Sequence, residues 1–232
     1  MIRQLLKFRR KQVLIDIGTQ KDFFLGDRST CIRNHRRVLA NIRRVMAWAR
    51  YKEIRIISTC QVYPNNNGGS VINHCLDGTD GQKKIRYTLV DNRISFAADG
   101  NTDLPLDILR RYNQIILHKR CIDPFDEPRI ERLLSEIRAD NFIIIGADTE
   151  GAVQAMALGL LQRGKKVAVV TDAIGSHDSR EAEIALRKMQ AKGAKLIETK
   201  NLAGHSHLRK VGICHCQICQ NKHKKNRPEM YN

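Results

Sequence analysis

Asn141-Phe-Ile-Ile-Ile-Gly146-Ala-Asp-Thr-Glu150-Gly-Ala152-Val153 reads as a buried strand, a tight turn and the first turn of a helix. The apolar run suits a strand covered on both faces, and the glycine-bearing segment after it breaks the pattern. The helix that follows, about 149–163, is apolar on nearly all faces: Val153, Ala155, Met156, Ala157, Leu158, Leu160 and Leu161. Such a helix is buried, and Gly164 ends it. A helix N-terminus just beyond a strand offers backbone N–H groups and a positive dipole end, so the turn is a place where a reacting group can be stabilised.

Working outward, the same alternation recurs. Short apolar runs at 12–17, 54–59, 114–119, 142–145, 166–171 and 195–198 predict six strands. Helical spacing predicts helices at about 32–51, 127–139 and 179–192 besides the buried one. Strand–helix alternation implies a mostly parallel six-stranded sheet in a three-layer, Rossmann-like α/β/α fold. Right-handed crossovers bring the strand C-termini to one edge, where sites form. Asp16, Thr59, Lys119, Gly146 and Asp172 are expected near that edge. Residues 64–69 read as a loop, and 70–113 as an irregular excursion over the sheet's rim.

The 232 residues suffice for one α/β domain, expected over 1–199. The formal charge is 41 − 24 = +17, which favours anionic partners such as RNA over the dispersed basic surface. No fingerprint of a nucleic-acid-binding module accompanies it. No apolar run is long enough to cross a membrane. The basic start, Met1 to Lys11, lacks the apolar core of a secretory signal. Seven cysteines then read as reduced thiols, and the expected location is the cytoplasm.

Four segments, in order, resemble the isochorismatase/nicotinamidase superfamily of cysteine hydrolases over about residues 11–199. Asp16, followed by Gln20-Lys21-Asp22-Phe23, is similar to the Asp that closes the family's first strand, with a spacing two residues longer. His74-Cys75 with Gly78-Thr79-Asp80-Gly81 looks like a nicotinamidase segment, and Lys119 with Asp123-Pro124-Phe125 looks like the family's lysine. Gly146-Ala-Asp148-Thr149-Glu-Gly151-Ala152-Val153 matches the nucleophile turn, except that alanine stands at the cysteine position. The resemblance implies Asp16 as general base, Lys119 as stabiliser of a thiolate, a turn around Gly146, Asp148, Thr149 and Gly151 that holds an oxyanion, and a cis peptide near Ala147.

With Ala152 the covalent route loses its nucleophile, a loss on the order of 10⁶ in kcat. Natural loss of the chemistry, an introduced substitution, and chemistry carried by another group remain open. Cys60 and Cys121 are candidate replacements, although cysteine is often just a small buried hydrophobe. An Asp16–Lys119 ion pair kept only for stability is the bland alternative. The crevice is expected to accept a small carbonyl or amide compound if it binds anything, and the resemblance implies possible homo-oligomers. The loop after the second strand, Gln61-Val-Tyr-Pro-Asn-Asn-Asn67, lacks the Asp-x-His of metal-holding nicotinamidases, so no cofactor is expected in the crevice.

Residues 200–232 form a basic tail rich in Cys and His. Cys216-x-x-Cys219 has zinc-knuckle spacing, and Cys214 with His223 or His207 would complete a tetrahedral Zn²⁺ site. A second Cys-x-x-Cys pair is absent, so a basic tail with free thiols is the competing expectation. Such a knuckle among Lys222, Lys224, Lys225 and Arg227 could contact RNA or another anionic partner.

Overall fold

The computed structural model describes residues 10–26, 31–65 and 72–204. In chain order the elements are β1 (Arg10–Ile17), α1 (Lys21–Leu25), α2 (His35–Tyr51), β2 (Arg55–Gln61), β3 (Arg93–Phe96), α3 (Ile108–Arg111), β4 (Gln114–Lys119), α4 (Pro128–Glu136), β5 (Ala139–Ala147), α5 (Gln154–Gln162), β6 (Val167–Gly175), α6 (Ser179–Ala191), β7 (Lys195–Ile197) and α7 (Thr199–Ala203). The proposed Cys214, Cys216, Cys219 and His223 zinc site lies outside the described residues.

The sheet runs β3-β4-β2-β1-β5-β6-β7, with every neighbouring pair parallel. It has seven strands where the sequence predicts six. The extra strand, β3, is a four-residue edge segment, Arg-Ile-Ser-Phe, inside the region expected to be irregular. So short a run carries too little periodicity to stand out from a loop. β1 lies between β2 and β5, so the strand order reverses there. The crevice of an open α/β sheet forms at such a switch point, outside the strand C-termini.

Side chains alternate across the pleat and sort the core into two layers. Val13, Ile15, Phe142 and Ile144 pack with Ile130, Leu133, Met156 and Leu160 on one face. Leu14, Ile143 and Ile145 pack with Ile42, Val45 and Met46 of α2 on the other. Parity along a strand therefore decides which layer a polar residue joins.

The last described helix, α7, runs past the boundary expected at residue 199. Thr199 donates its N–H (2.7 Å) and its hydroxyl (2.8 Å) to the Asp172 carboxylate, and α7 packs against α2. Asp172 thus sits inside β6 as an anchor for this last helix. β6 continues to Gly175, so Asp172 does not reach the sheet edge as expected from its apolar run.

Candidate active site

A cavity of about 180 Å³ opens at the C-terminal edge of the sheet, where β1 and β5 diverge. Gly18, Lys119, Ala147, Asp148 and Ala152 line it, and Phe23, Tyr63, His74 and His177 form an aromatic and imidazole wall. Ala152 is buried in the layer formed by α4, α5 and α6. Lys119 shares its parity with Ile115 and Leu117, members of the same layer.

Asp16 is elsewhere, which corrects the expected pairing with Lys119. Its parity matches Leu14, so it lies on the α2 side of the sheet. There it accepts hydrogen bonds from Ser58 Oγ (2.9 Å) and Lys84 Nζ (2.7 Å). Both side chains of the Asp16–Lys84 ion pair are almost fully buried. The residue that reaches the cavity at the end of β1 is Gly18, two positions on. The two-residue surplus between Asp16 and Gln20 was the signal: counted back from Gln20-Lys-Asp-Phe, the edge position falls on Gly18. Gly18 cannot simply be replaced by an acid, because its φ is +54° and a Cβ would stand 2.6 Å from the Ala147 carbonyl oxygen.

Gln20 and Asp22 serve as clamps. Gln20 exchanges hydrogen bonds with the backbone of Gln61 (2.7 and 2.8 Å) and donates to Gln82 O (2.8 Å). The Asp22 carboxylate accepts from Cys75 N at 2.7 Å. A Cβ on Gly81 would collide with that carboxylate at 2.0 Å. These bonds tie the 74–84 excursion to the start of α1 and so place His74 over the cavity.

Lys119 is buried, and its ammonium is fully engaged. It donates to Gln61 Oε1, to Cys121 O (2.8 Å) and to Ile122 O (3.1 Å). Burial lowers its pKa from 10.5 to about 8, while the charge of Asp148 works the other way. Because the folded pKa is depressed, the unfolded chain holds more protons here between pH 8 and 10.5. The contribution of Lys119 to stability therefore rises with pH across that window. Urea unfolding at pH 8 and pH 10 is expected to show this rise in the natural sequence and to lose it in Lys119→Met.

The turn after β5 fits its sequence closely. The Ala147–Asp148 peptide is cis, as the resemblance implied near Ala147. The Asp148 carboxylate caps the next turn, accepting from Ala152 N at 3.1 Å. That N–H, expected to face an oxyanion, is therefore already bonded. Gly151 leaves room for the same carboxylate, since a Cβ there would stand 2.6 Å from it. Thr149 donates its hydroxyl to Gly175 O (2.8 Å) and holds β6 against the turn. Gly146 has φ +124° and passes so near Ile17 O that a Cβ would stand 1.8 Å away.

Neither candidate replacement thiol serves. Cys60 is buried, and burial pushes its pKa up to about 11. Cys121 is exposed and lies outside the cavity lining; its backbone carbonyl supports Lys119.

The sequence reading missed Tyr63 and His177 and gave His74 no role. Phe23 contacts both imidazoles, with ring centroids 5.4 Å from His74 and 6.2 Å from His177. Tyr63 meets His74 edge-on at 5.3 Å. His74 Nδ1 is buried without a hydrogen-bond partner. Burial lowers the His74 pKa, opposed by Asp22 and Asp148, with His177 adding to the lowering. His177 is positioned by its backbone N–H, which donates to Glu150 Oε1 at 2.9 Å. Nothing in Gly175-Ser-His177-Asp marks a site by spacing; only the path of the loop brings it in.

The Isochorismatase domain model matches residues 12–201, and the chain belongs to that family of α/β hydrolases. Several solved structures share the fold. A pyrazinamidase of Pyrococcus horikoshii in complex with zinc is 22% identical with a TM-score of 0.63, over 81% of this chain and 99% of its own. The MAR1 ribonuclease from Caenorhabditis elegans is 21% identical with a TM-score of 0.55, over 96% of this chain and 92% of its own. A nicotinamidase/pyrazinamidase from Bacillus subtilis is 17% identical with a TM-score of 0.64, over 81% and 100%. Curated proteins give no match.

Among the described residues no three His, Cys, Asp or Glu side chains converge to hold an ion. The rings of Phe23 and Tyr63 pack beside His74.

Proposed function

We propose that this chain is an isochorismatase-fold protein that does not work by the cysteine route and whose crevice takes an anionic or carbonyl-bearing ligand. The observation that carries this reading is the double vacancy of function at the sheet edge. Ala152 stands at the nucleophile position, and Gly18 rather than a carboxylate stands at the end of β1. Lys119 remains, with its charge fixed by three acceptors.

Hydrolysis of nicotinamide, followed by ammonia release, tests the reading. No turnover above the buffer rate is expected from the chain as it stands. Ala152→Cys installs a thiol without a base, and its turnover is expected to remain roughly 10⁴-fold short of a complete site, as when a triad loses its acid. Amide turnover by the unaltered chain would overturn the proposal.

A second reading, RNA as the ligand, is supported by the +17 charge and by the ribonuclease whose fold matches 96% of this chain. The basic Cys/His tail would add to the same attraction, with or without zinc. A location in the cytoplasm and self-association belong to this proposal as expectations.

A further inference from the structure

The crevice keeps two imidazoles but lacks the family's thiol at position 152 and a carboxylate at the end of β1. Ala152 has no heteroatom, and the Cys60 and Cys75 thiols are buried and pushed up by burial. Lys119 has each of its three N–H groups bonded to the protein. A substrate that carries its own nucleophile needs only the acid–base groups that remain here. RNA carries one at every nucleotide, because the 2′-hydroxyl lies next to the phosphodiester.

Two imidazoles line the cavity. His74 comes from the excursion clamped by Gln20 and Asp22, and His177 from the loop after β6. Both lie beside Phe23, with one ring 5.4 Å and the other 6.2 Å from its centroid. His74 Nδ1 is buried and unpartnered, so a hydrogen-bonding group of the right kind at this atom is missing from the fold itself. A transesterification needs one base and one acid, and imidazole serves both near neutral pH.

We propose that His74 and His177 form a metal-independent acid–base pair that cleaves RNA by transesterification, with Lys119 offsetting the charge that builds on phosphorus. This deepens the RNA reading of the same crevice and rests on it. His74 accepts the proton of the 2′-hydroxyl as the 2′-oxygen bonds to phosphorus. His177 gives a proton to the departing 5′-oxygen as the P–O5′ bond breaks. The products are a 2′,3′-cyclic phosphate and a free 5′-hydroxyl, and no water, metal or cofactor is consumed. Lys119 acts through its fixed charge. The groups around His74 are Asp22 from α1, Asp148 from the turn after β5, His177, Phe23 and the Tyr63 ring. Burial outweighs the two carboxylates and lowers the His74 pKa, which favours the neutral imidazole that a base requires. The acid limb of the rate profile is expected at lower pH than a free imidazole would give.

The test uses the full chain in EDTA with a short single-stranded oligoribonucleotide and its all-2′-deoxy counterpart. Expected are cleavage of the RNA only, 2′,3′-cyclic phosphate ends by mass spectrometry, and similar retention of both strands at low salt. His74→Gln and His177→Gln are each expected to slow cleavage by roughly 100-fold or more while retaining RNA. The 2′-deoxy strand tests the nucleophile without altering the protein, so a misfolded variant does not decide the matter. RNA that is retained but not cleaved, cleavage of the deoxy strand, cleavage that EDTA abolishes, or full activity in the His74→Gln, His177→Gln double variant would each overturn the acid–base pair and leave the RNA reading standing. Failure to retain RNA at low salt would overturn both.

Discussion

Replacing Asp16 by alanine is expected to lower the unfolding free energy by about 3–5 kcal/mol. The substitution leaves the Lys84 ammonium, 4% exposed, without its carboxylate partner inside the α2 layer. Thr19 Oγ1 still accepts from Lys84, but a neutral hydroxyl does not offset a buried charge. Ser58 Oγ loses its acceptor as well. Removing both charges together, Asp16→Asn with Lys84→Met, should cost much less than Asp16→Ala alone. Urea unfolding with a constant m value checks both. A carboxylate serving as a catalytic base would give the opposite pattern, with little stability lost and activity abolished.

Gly146→Ala is the second large effect, a destabilisation of about 4 kcal/mol or more. β1 and β5 pair up to Ile17 and Gly146, and the ladder between β5 and β6 shifts register between Ile144 and Gly146. At this irregularity the backbone takes φ +124°, and a methyl group would stand 1.8 Å from Ile17 O. The three nearest atoms are all backbone of Ile17, which leaves nothing flexible to yield. Gly100→Ala is the matched control: its φ is +73° but nothing lies within 4 Å, so only the local backbone cost of about 1–2 kcal/mol applies. Thermal or urea melts of the two variants separate steric closure from positive φ alone. The turn that carries Asp148 and Ala152 begins here, so Gly146 fixes the floor of the crevice.

Much of the fold was legible because long strands and buried helices repeat a period. The run from Phe142 to Ile145 and the apolar α5 behind it suffice to place the nucleophile turn, and Lys119 at the end of β4 follows from the same logic. β3 escaped because its four residues alternate between exposed and partly buried, a pattern no different from a loop. Asp16 was misplaced for a subtler reason. An acid that closes an apolar run looks like a sheet-edge residue, yet β1 pairs with β2 through Ile17 and Asp16 sits beside Ser58 within the ladder. Its partner, Lys84, lies 68 positions away in the excursion, where no periodicity points to it. His177 and Tyr63 were illegible because they reach the crevice on loops, whose course depends on tertiary contacts such as the bond from His177 N to Glu150.

The central division is between Asp16, paired with Lys84 inside the fold, and Lys119, which lines the crevice. Double-mutant cycles of Asp16 with each lysine, read by urea unfolding, test it most directly. A coupling of about 1–3 kcal/mol is expected between Asp16 and Lys84, and less than about 0.5 kcal/mol between Asp16 and Lys119. Strong coupling of Asp16 to Lys119, with none to Lys84, would contradict this arrangement and return Asp16 to the active site.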